Sequence, residues 1–364
     1  MSGIAGVGLT AFGRHEGRDA LSLMEEAADA ALRDAGMERG EVDGLVAGYA
    51  TTHPHLMLAT VLAERLGIAP RFAQAVQMGG ATGAGMVMLA DLAIRGGAAS
   101  RVLVVAGENR LTGRGRRSAM EALAEVGHPE REAPLGMSVP AYYALLAARY
   151  LHETGATEED LAALAVLMRC HAAATPGAHL AEPVTVEDVM ASPPIATPLK
   201  RLDCCPVSDG AAAVVMTAGA SPRITGAAQA HTHQHLSEAP DDPAEGARIA
   251  SARALAQAGR AVADLNRLAI YDSFTVTLAM LLEAVGVCEP GRAGPDAARG
   301  RFDRDGPLPL NTHGGLLSYG HCGVAGAMAH LVEAVRRMRG RPGVALWHGD
   351  GGVMSSHVSL VIEG

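Results

Sequence analysis

Gly80-Ala81-Thr82-Gly83-Ala84 and Gly323-Val324-Ala325-Gly326-Ala327 are one pattern of small residues written twice, 243 residues apart. Each pentad opens a helical stretch, and each helix runs into an apolar strand, Arg101 to Ala106 in the first copy and Gly343 to Trp347 in the second. A helix that begins deep between two sheets tolerates only small side chains in its first turn. Its free N–H groups then face the interior, where their partial positive charge can hold an anion.

A second correspondence, at an offset of 223 residues, needs no gap. Ala35-Gly36 matches Ala258-Gly259, Glu41-Val42 matches Asp264-Leu265, and Leu45 matches Leu268. Each copy reads as an Ala-rich amphipathic helix (Leu21 to Asp34; Ala244 to Ala258), a Gly stop, a short acidic turn and an apolar strand (Gly44 to Tyr49; Arg267 to Tyr271). Alternating strands and helices, given twice, predict two similar α/β halves. Their boundary falls near Ala218 to Arg223, giving residues 1–220 and 221–364, with a region of about 110–200 inserted in the first half.

Composition suits such a protein. With 364 residues, 49% of them hydrophobic, the chain can bury a large interior, and with only 3% aromatics that interior must be built from Ala, Val, Leu and Met. A net charge of -9 excludes a nucleic-acid binder, which needs clustered cations. One basic run exists, Arg110, Arg114, Arg116 and Arg117; it reads either as a solvated loop or as a loop meeting the phosphates of a nucleotide-bearing substrate. The five cysteines are scattered and form no C-x-x-C pair, as expected of reduced thiols in a cytoplasmic protein. With no basic-then-apolar leader and no run of 18 apolar residues, no membrane anchor is expected. His231, His233 and His235 alternate along one strand face; without neighbouring acids or thiols they read as a surface, and no metal site is expected.

Asn311-Thr312-His313-Gly314-Gly315, followed by Gly320-His321-Cys322-Gly323, resembles the N-x-x-G-G and G-H-P-x-G signature of the thiolase superfamily. Leu202 to Ala212, with Ser208-Asp209-Gly210-Ala211-Ala212, resembles its D-G-A-A segment, and His348-Gly349-Asp350-Gly351-Gly352 stands where that family has C-x-G-G-G. The resemblance spans nearly the whole chain. It implies the thiolase fold: an α/β protein of two duplicated βαβαβαββ halves forming a five-layered αβαβα sandwich.

The departures bear on chemistry. Where a thiolase carries its nucleophilic Cys, this chain has Gly80, so nothing there can be acylated. His348 matches the second, acid/base cysteine, and Tyr271-Asp272-Ser273-Phe274 replaces the N-E-A-F loop. His321 remains, and the resemblance assigns it to the oxyanion hole. Cys322 reads as a small filler where the family has proline, or as a displaced nucleophile. Cys204-Cys205 is expected to pack beside the half-boundary.

Tyr-Asp-Ser-Phe-Thr together with Ser-Tyr-Gly-His is similar to the thiolase-like aldolases of bacterial steroid side-chain degradation, which cleave a β-hydroxy acyl-CoA by retro-aldol reaction. That resemblance puts catalytic tyrosines at Tyr271 and Tyr319, helped by His321 and His348, with Gly80, Asp272, Asn311, Gly351 and Cys322 around the substrate. Coenzyme A enters as part of the substrate, with no tightly bound cofactor. The resemblance also implies a homodimer paired through an edge strand at Gln74 to Gln77, and an OB-fold partner with a zinc ribbon supplied in trans. The loop from Thr112 to Ala141 is expected to line the acyl pocket. Two other readings stay open: an acyltransferase using Cys322 or His348, and a non-catalytic acyl-CoA-binding subunit.

Overall fold

The computed structural model describes residues 2–113 and 126–364. The first half runs through β1 (Ser2–Leu9), α1 (Ala20–Ala35), β2 (Gly44–Gly48), α2 (Leu58–Leu66), β3 (Phe72–Val76), α3 (Thr82–Arg95) and β4 (Arg101–Asn109). Then come α4 (Val139–Thr154), α5 (Glu158–Ala173), α6 (Val186–Ala191), the short β5 (Pro194–Ala196) and β6 (Leu199–Lys200), and β7 (Asp209–Ala218). The second half contains β8 (Arg223–His231), α7 (Glu245–Ala258), β9 (Arg267–Ile270), α8 (Thr275–Ala284), α9 (Ala293–Ala298), α10 (Val324–Gly340), β10 (Val344–Gly351) and β11 (Ser356–Glu363).

Hydrogen bonding links nine strands in the order β3-β2-β4-β7-β1-β8-β11-β10-β9. Only Gly3 and Arg223 pair across the middle, so the ladder is two sheets joined at one point. Strand alternation then sorts the core into layers. Leu45, Leu103, Val105, Ala213 and Val215 of the first sheet pack outward on α1 and α2. Their alternates Val46, Val104, Ala106 and Val214 pack inward on α3 and α10. Ala269, Ala345, Trp347 and Leu360 close on those two helices from the second sheet, while Leu268, Ile270, Leu346 and Val361 face α7, α8, α4 and α5. Helices, sheet, buried helix pair, sheet and helices are the five layers of the expected sandwich.

Both repeats found in the sequence are structural repeats. The α1 helix starts on Asp19, whose carboxylate accepts from the Ser22 amide at 2.7 Å, and α1 and α7 both stop on left-handed glycines, Gly36 and Gly259. Each is followed by a single 3-10 turn, Arg39–Glu41 or Val262–Asp264, and then a strand entering its sheet. The pentads open α3 and α10, the buried pair of the central layer.

The two outer strands of the ladder differ. β3 is half-exposed and pairs only with β2. β9 is covered on its far side by residues 309–311: Leu268 donates to the Pro309 carbonyl at 2.8 Å, and Asn311 donates back to the Leu268 carbonyl at 3.0 Å. The Asn311 side chain extends the imitation, accepting from the Ile270 amide at 2.8 Å and donating to the Ile270 carbonyl at 2.7 Å. No helix among the described residues is long and apolar enough to cross a membrane.

Candidate active site

A cavity of about 280 Å³ opens where the two central helices begin, with Gly80 and Gly323 both in its wall. Tyr49 follows the end of β2, Arg110 follows β4, Tyr143 comes from α4, and Tyr271 follows the end of β9. Cys205, Phe274 and His321 complete the part that matters for chemistry.

Tyr271 takes the place that a side chain at position 80 would need. A Cβ built on Gly80 would lie 2.5 Å from the Cε2 and Cζ atoms of the Tyr271 ring, and would also collide with the Asp350 carbonyl oxygen. Glycine at position 80 is therefore a steric requirement of the tyrosine.

The Tyr271 hydroxyl lies 3.2 Å from His321 Nε2. The Gly323 amide donates to His321 Nδ1 at 3.3 Å, so that nitrogen carries the lone pair and Nε2 carries the proton. The imidazole thus donates toward the phenol oxygen. Burial, helped by the nearby Arg110 charge, pushes its pKa down to about 3, which keeps it neutral at any ordinary pH. Burial also raises the Tyr271 phenol well above 10, with Cys205 and Asp350 adding to the rise and Arg110 opposing it.

Other residues singled out from the sequence lie elsewhere. The Tyr319 ring is outside the cavity lining, edge-on to Phe12 at 4.9 Å and beside His313 at 5.2 Å. His348 is completely buried in β10, with Nδ1 2.7 Å from Ser359 Oγ and Nε2 3.2 Å from His357 Nδ1. Strand alternation turns it away from the helix starts. The residue of β10 that does face them is Gly349, where an added Cβ would stand 3.1 Å from the Ala81 Cα. His348 therefore does not reach the helix starts, and the residue of β10 that does is a glycine.

Asp272 and Asn311 are scaffolding rather than lining. The Asp272 Oδ1 accepts from the Leu316 amide at 2.8 Å and lies 2.9 Å from His330 Nε2, fixing the turn that leads to His321. Asn311 clamps β9 and thereby the strand end that carries Tyr271. Cys322 is buried in the central layer outside the lining, and burial holds its thiol well above 9. Gly351 lies just outside the wall, against the Met78 backbone, while its neighbour Gly352 lines it. Cys204 and Cys205, expected beside the half-boundary, instead line the cavity. Burial pushes the Cys204 thiol up to about 12 and Cys205 higher still, so neither is a thiolate at neutral pH.

Three cavity features were not foreseen. The Tyr143 ring stacks on Phe274 at 4.5 Å, and its hydroxyl donates to the buried Asp350 at 3.0 Å. Tyr49 stands close to Arg110. Arg110 itself is not a solvated loop residue: its side chain is 11% exposed, paired with Glu108 at 3.2 Å inside the cavity wall. A charged Glu-x-Arg directly after an apolar strand was the available sequence signal. Arg114, Arg116 and Arg117 lie outside the described residues. Of the expected pocket loop, Val126, Val139 and Pro140 line the cavity.

Burial makes the region acid-sensitive. His171, His313, His321, His348 and His357 are all held below 6.5, chiefly by burial, with His171 and His357 near 4. The unfolded chain therefore takes up protons below about pH 6.5 that the folded chain refuses. Stability falls from there toward pH 4 by ~1.4 kcal/mol per pH unit for each imidazole. Burial raises Asp272 and Asp350, which act in the opposite sense because the folded chain protonates them first. Asp203 and Glu283 are raised likewise, while His179 and His233 are lowered, so four carboxyls offset only part of seven imidazoles. The thermal midpoint is expected to be clearly lower at pH 5 than at pH 7; equal midpoints would contradict this ledger.

Comparison with known proteins places this geometry. Residues 2–220 match the family model "Thiolase, N-terminal domain", and residues 228–364 match "Thiolase C-terminal domain-like". The chain is 36% identical to a steroid side-chain-cleaving aldolase of Thermomonospora curvata, over 93% of this chain and 90% of that protein. It is 33% identical to a 17-hydroxy-3-oxo-4-pregnene-20-carboxyl-CoA lyase of Mycobacterium tuberculosis, over 93% and 92%. Among solved structures, the Ltp2-ChsH2(DUF35) aldolase superposes with a TM-score of 0.84 and 33% identity, covering 100% of this chain and 97% of that one.

Proposed function

Because this chain belongs to the thiolase superfamily and carries a tyrosine where a thiolase nucleophile would need room, we propose that it is a carbon-carbon lyase that cleaves a bulky, steroid-like β-hydroxy acyl-CoA by retro-aldol reaction. The observation that carries this reading is the Tyr271 ring filling the side-chain space of position 80, with its oxygen facing the protonated nitrogen of His321. The two aldolase or lyase relatives, each matched over most of its length, support it.

In this reading Tyr271, as phenolate, removes the proton of the substrate's β-hydroxyl. The oxygen's electron pair forms the ketone or aldehyde carbonyl, the Cα–Cβ bond breaks, and its electrons pass to the thioester as an enolate. Once Tyr271 has taken that proton, His321 Nε2–H turns from the phenol oxygen to the enolate oxygen, and the proton held on Tyr271 passes to Cα, releasing the shortened acyl-CoA and restoring the phenolate. No covalent acyl-enzyme forms at any stage. Tyr271 and His321 are the catalytic pair; Gly80 supplies space, and Asp272 and Asn311 hold the elements that present the pair.

Cys204 and Cys205 in the cavity favour one competing reading, acyl transfer through a thiol. Incubation with a short acyl-CoA followed by intact-mass measurement separates the two. We expect an unmodified chain, together with ketone or aldehyde release from a β-hydroxy acyl-CoA; a stoichiometric acyl adduct would replace the aldolase reading.

We further propose a homodimer paired through β3, supported by the exposed edge of that strand, and a small OB-fold, zinc-ribbon partner in trans. The similarity to an aldolase solved as Ltp2-ChsH2(DUF35) supports the partner. Among the described residues of this chain no group of three or more His, Cys, Asp or Glu is placed to hold a metal ion. Turnover is expected to rise when such a partner is co-expressed, and activity indifferent to it would remove that part of the proposal.

A further inference from the structure

A phenol buried beyond its ordinary pKa is a weak base at neutral pH, so the Tyr271 reading needs something that favours the phenolate. The groups facing Tyr271 are Tyr49 at the end of β2, Arg110 beyond β4, Tyr143 of α4, Cys205, Asp350 of β10 and His321. Asp350 and the ionisable Tyr49, Tyr143 and Cys205 oppose a negative charge there. His321 donates a hydrogen bond but carries no charge. Among the described lining residues, Arg110 is the one guanidinium or ammonium group.

Arg110 is also held still. Its Nε and Nη2 donate to Glu108 Oε1 at 3.3 and 3.2 Å. Glu108, 1% exposed, is itself fixed by the amides of Thr51 and Thr52 at 2.7 and 3.0 Å and by both their hydroxyls. Room for the guanidinium comes from Gly323: an added Cβ there would press to 3.1 Å of Arg110 Nη2 and 3.0 Å of Glu108 Cγ. A buried ion pair is a poor investment in stability, since apolar residues of like volume serve as well or better. One that lines a cavity beside a phenol is better explained by chemistry.

Resting on the assignment of Tyr271 as base, we propose that Arg110, anchored by Glu108, is the fixed positive charge that holds Tyr271 as phenolate during removal of the β-hydroxyl proton. Arg110 is thus a positioning residue acting through Tyr271. The pair keeps the cavity close to neutral overall, yet puts its cationic end in the wall and its anionic end behind a screen of Thr51 and Thr52. Fixed charge in a water-poor site acts without reorganisation, which is why it serves better there than in solution.

The test is a comparison of Arg110→Met, Arg110→Lys and wild type, with Tyr271→Phe as reference. Two readouts are taken: the pH profile of kcat/KM for cleavage, and the ultraviolet titration of phenol ionisation, with the Tyr271 contribution obtained by subtracting the matching Tyr271→Phe chain. Removing one close opposite charge moves a pKa by about 1 unit or more. Arg110→Met is therefore expected to shift both the phenol titration and the rising limb of the profile about 1 unit to higher pH, with about a tenfold loss of kcat/KM at pH 7. Arg110→Lys, which keeps the charge, is expected to restore most of both. An unchanged Tyr271 titration in folded Arg110→Met overturns the role of Arg110 even if Tyr271→Phe is inactive. A shifted titration with an unshifted rate profile shows instead that Tyr271 is not the base.

Discussion

Tyr271→Phe is expected to abolish cleavage, lowering kcat by about 10²- to 10⁴-fold, while leaving acyl-CoA binding in place. The change removes one oxygen from a ring that stays packed at Gly80, so the fold has little reason to respond. What is lost is the phenol oxygen that lies 3.2 Å from the donor nitrogen of His321. Tyr319→Phe is the control for the same chemistry elsewhere. Its hydroxyl lies near the Gly177 backbone rather than in the cavity, so turnover is expected to stay within about tenfold of wild type on the scale of acid-base effects. Steady-state kinetics with binding measured separately decides both; a Tyr271→Phe enzyme at wild-type rate would end the mechanism.

Gly80→Cys, which writes the thiolase nucleophile back into the sequence, is expected to give neither enzyme. Its Cβ would have to occupy the space of the Tyr271 ring and the Asp350 carbonyl. Overpacking of this kind costs typically 1–3 kcal/mol, and here it also drives the catalytic phenol from His321. Cleavage should fall to background and the thermal midpoint should drop, with no acyl adduct detected by mass. Gly80→Cys combined with Tyr271→Ala is the informative second variant, because it removes the ring and leaves only the clash with the Asp350 carbonyl oxygen. Recovery of stability in the double variant confirms the clash, whereas a single variant as stable as wild type refutes it.

The fold was legible because its evidence was internal. The pentads at Gly80 and Gly323 and the paired Gly36 and Gly259 stops each recur at a fixed spacing, and a repeat fixes architecture before any single element is assigned. The site was legible in part. Gly80, His321 and Tyr271 were each placed by the motifs that resemble the family's. His348 failed for a reason of parity: in a strand, neighbouring side chains point to opposite faces. Tyr319 failed because the turn Gly315–Tyr319 is an irregular π-type coil whose side-chain directions no simple period foretells. Tyr143 was missed as a cavity residue, and Arg110 was read only as a solvated loop residue or a phosphate contact, since both reach the cavity from regions distant in sequence and only tertiary packing brings them there. Cys204 and Cys205 were misplaced for the same reason.

The imitation strand of residues 309–311 along β9 reaches beyond the catalytic tyrosine it steadies. Among the described residues it leaves the nine-stranded ladder with one unpaired border, the outer side of β3, since the backbone of β9 is already paired on its far side. In the proposed homodimer, pairing β3 with β3 about a two-fold axis would use up the ladder's one open border among the described residues, so a third copy could not extend that ladder. The same few hydrogen bonds that hold Tyr271 in place thus close that end of the ladder to strand addition.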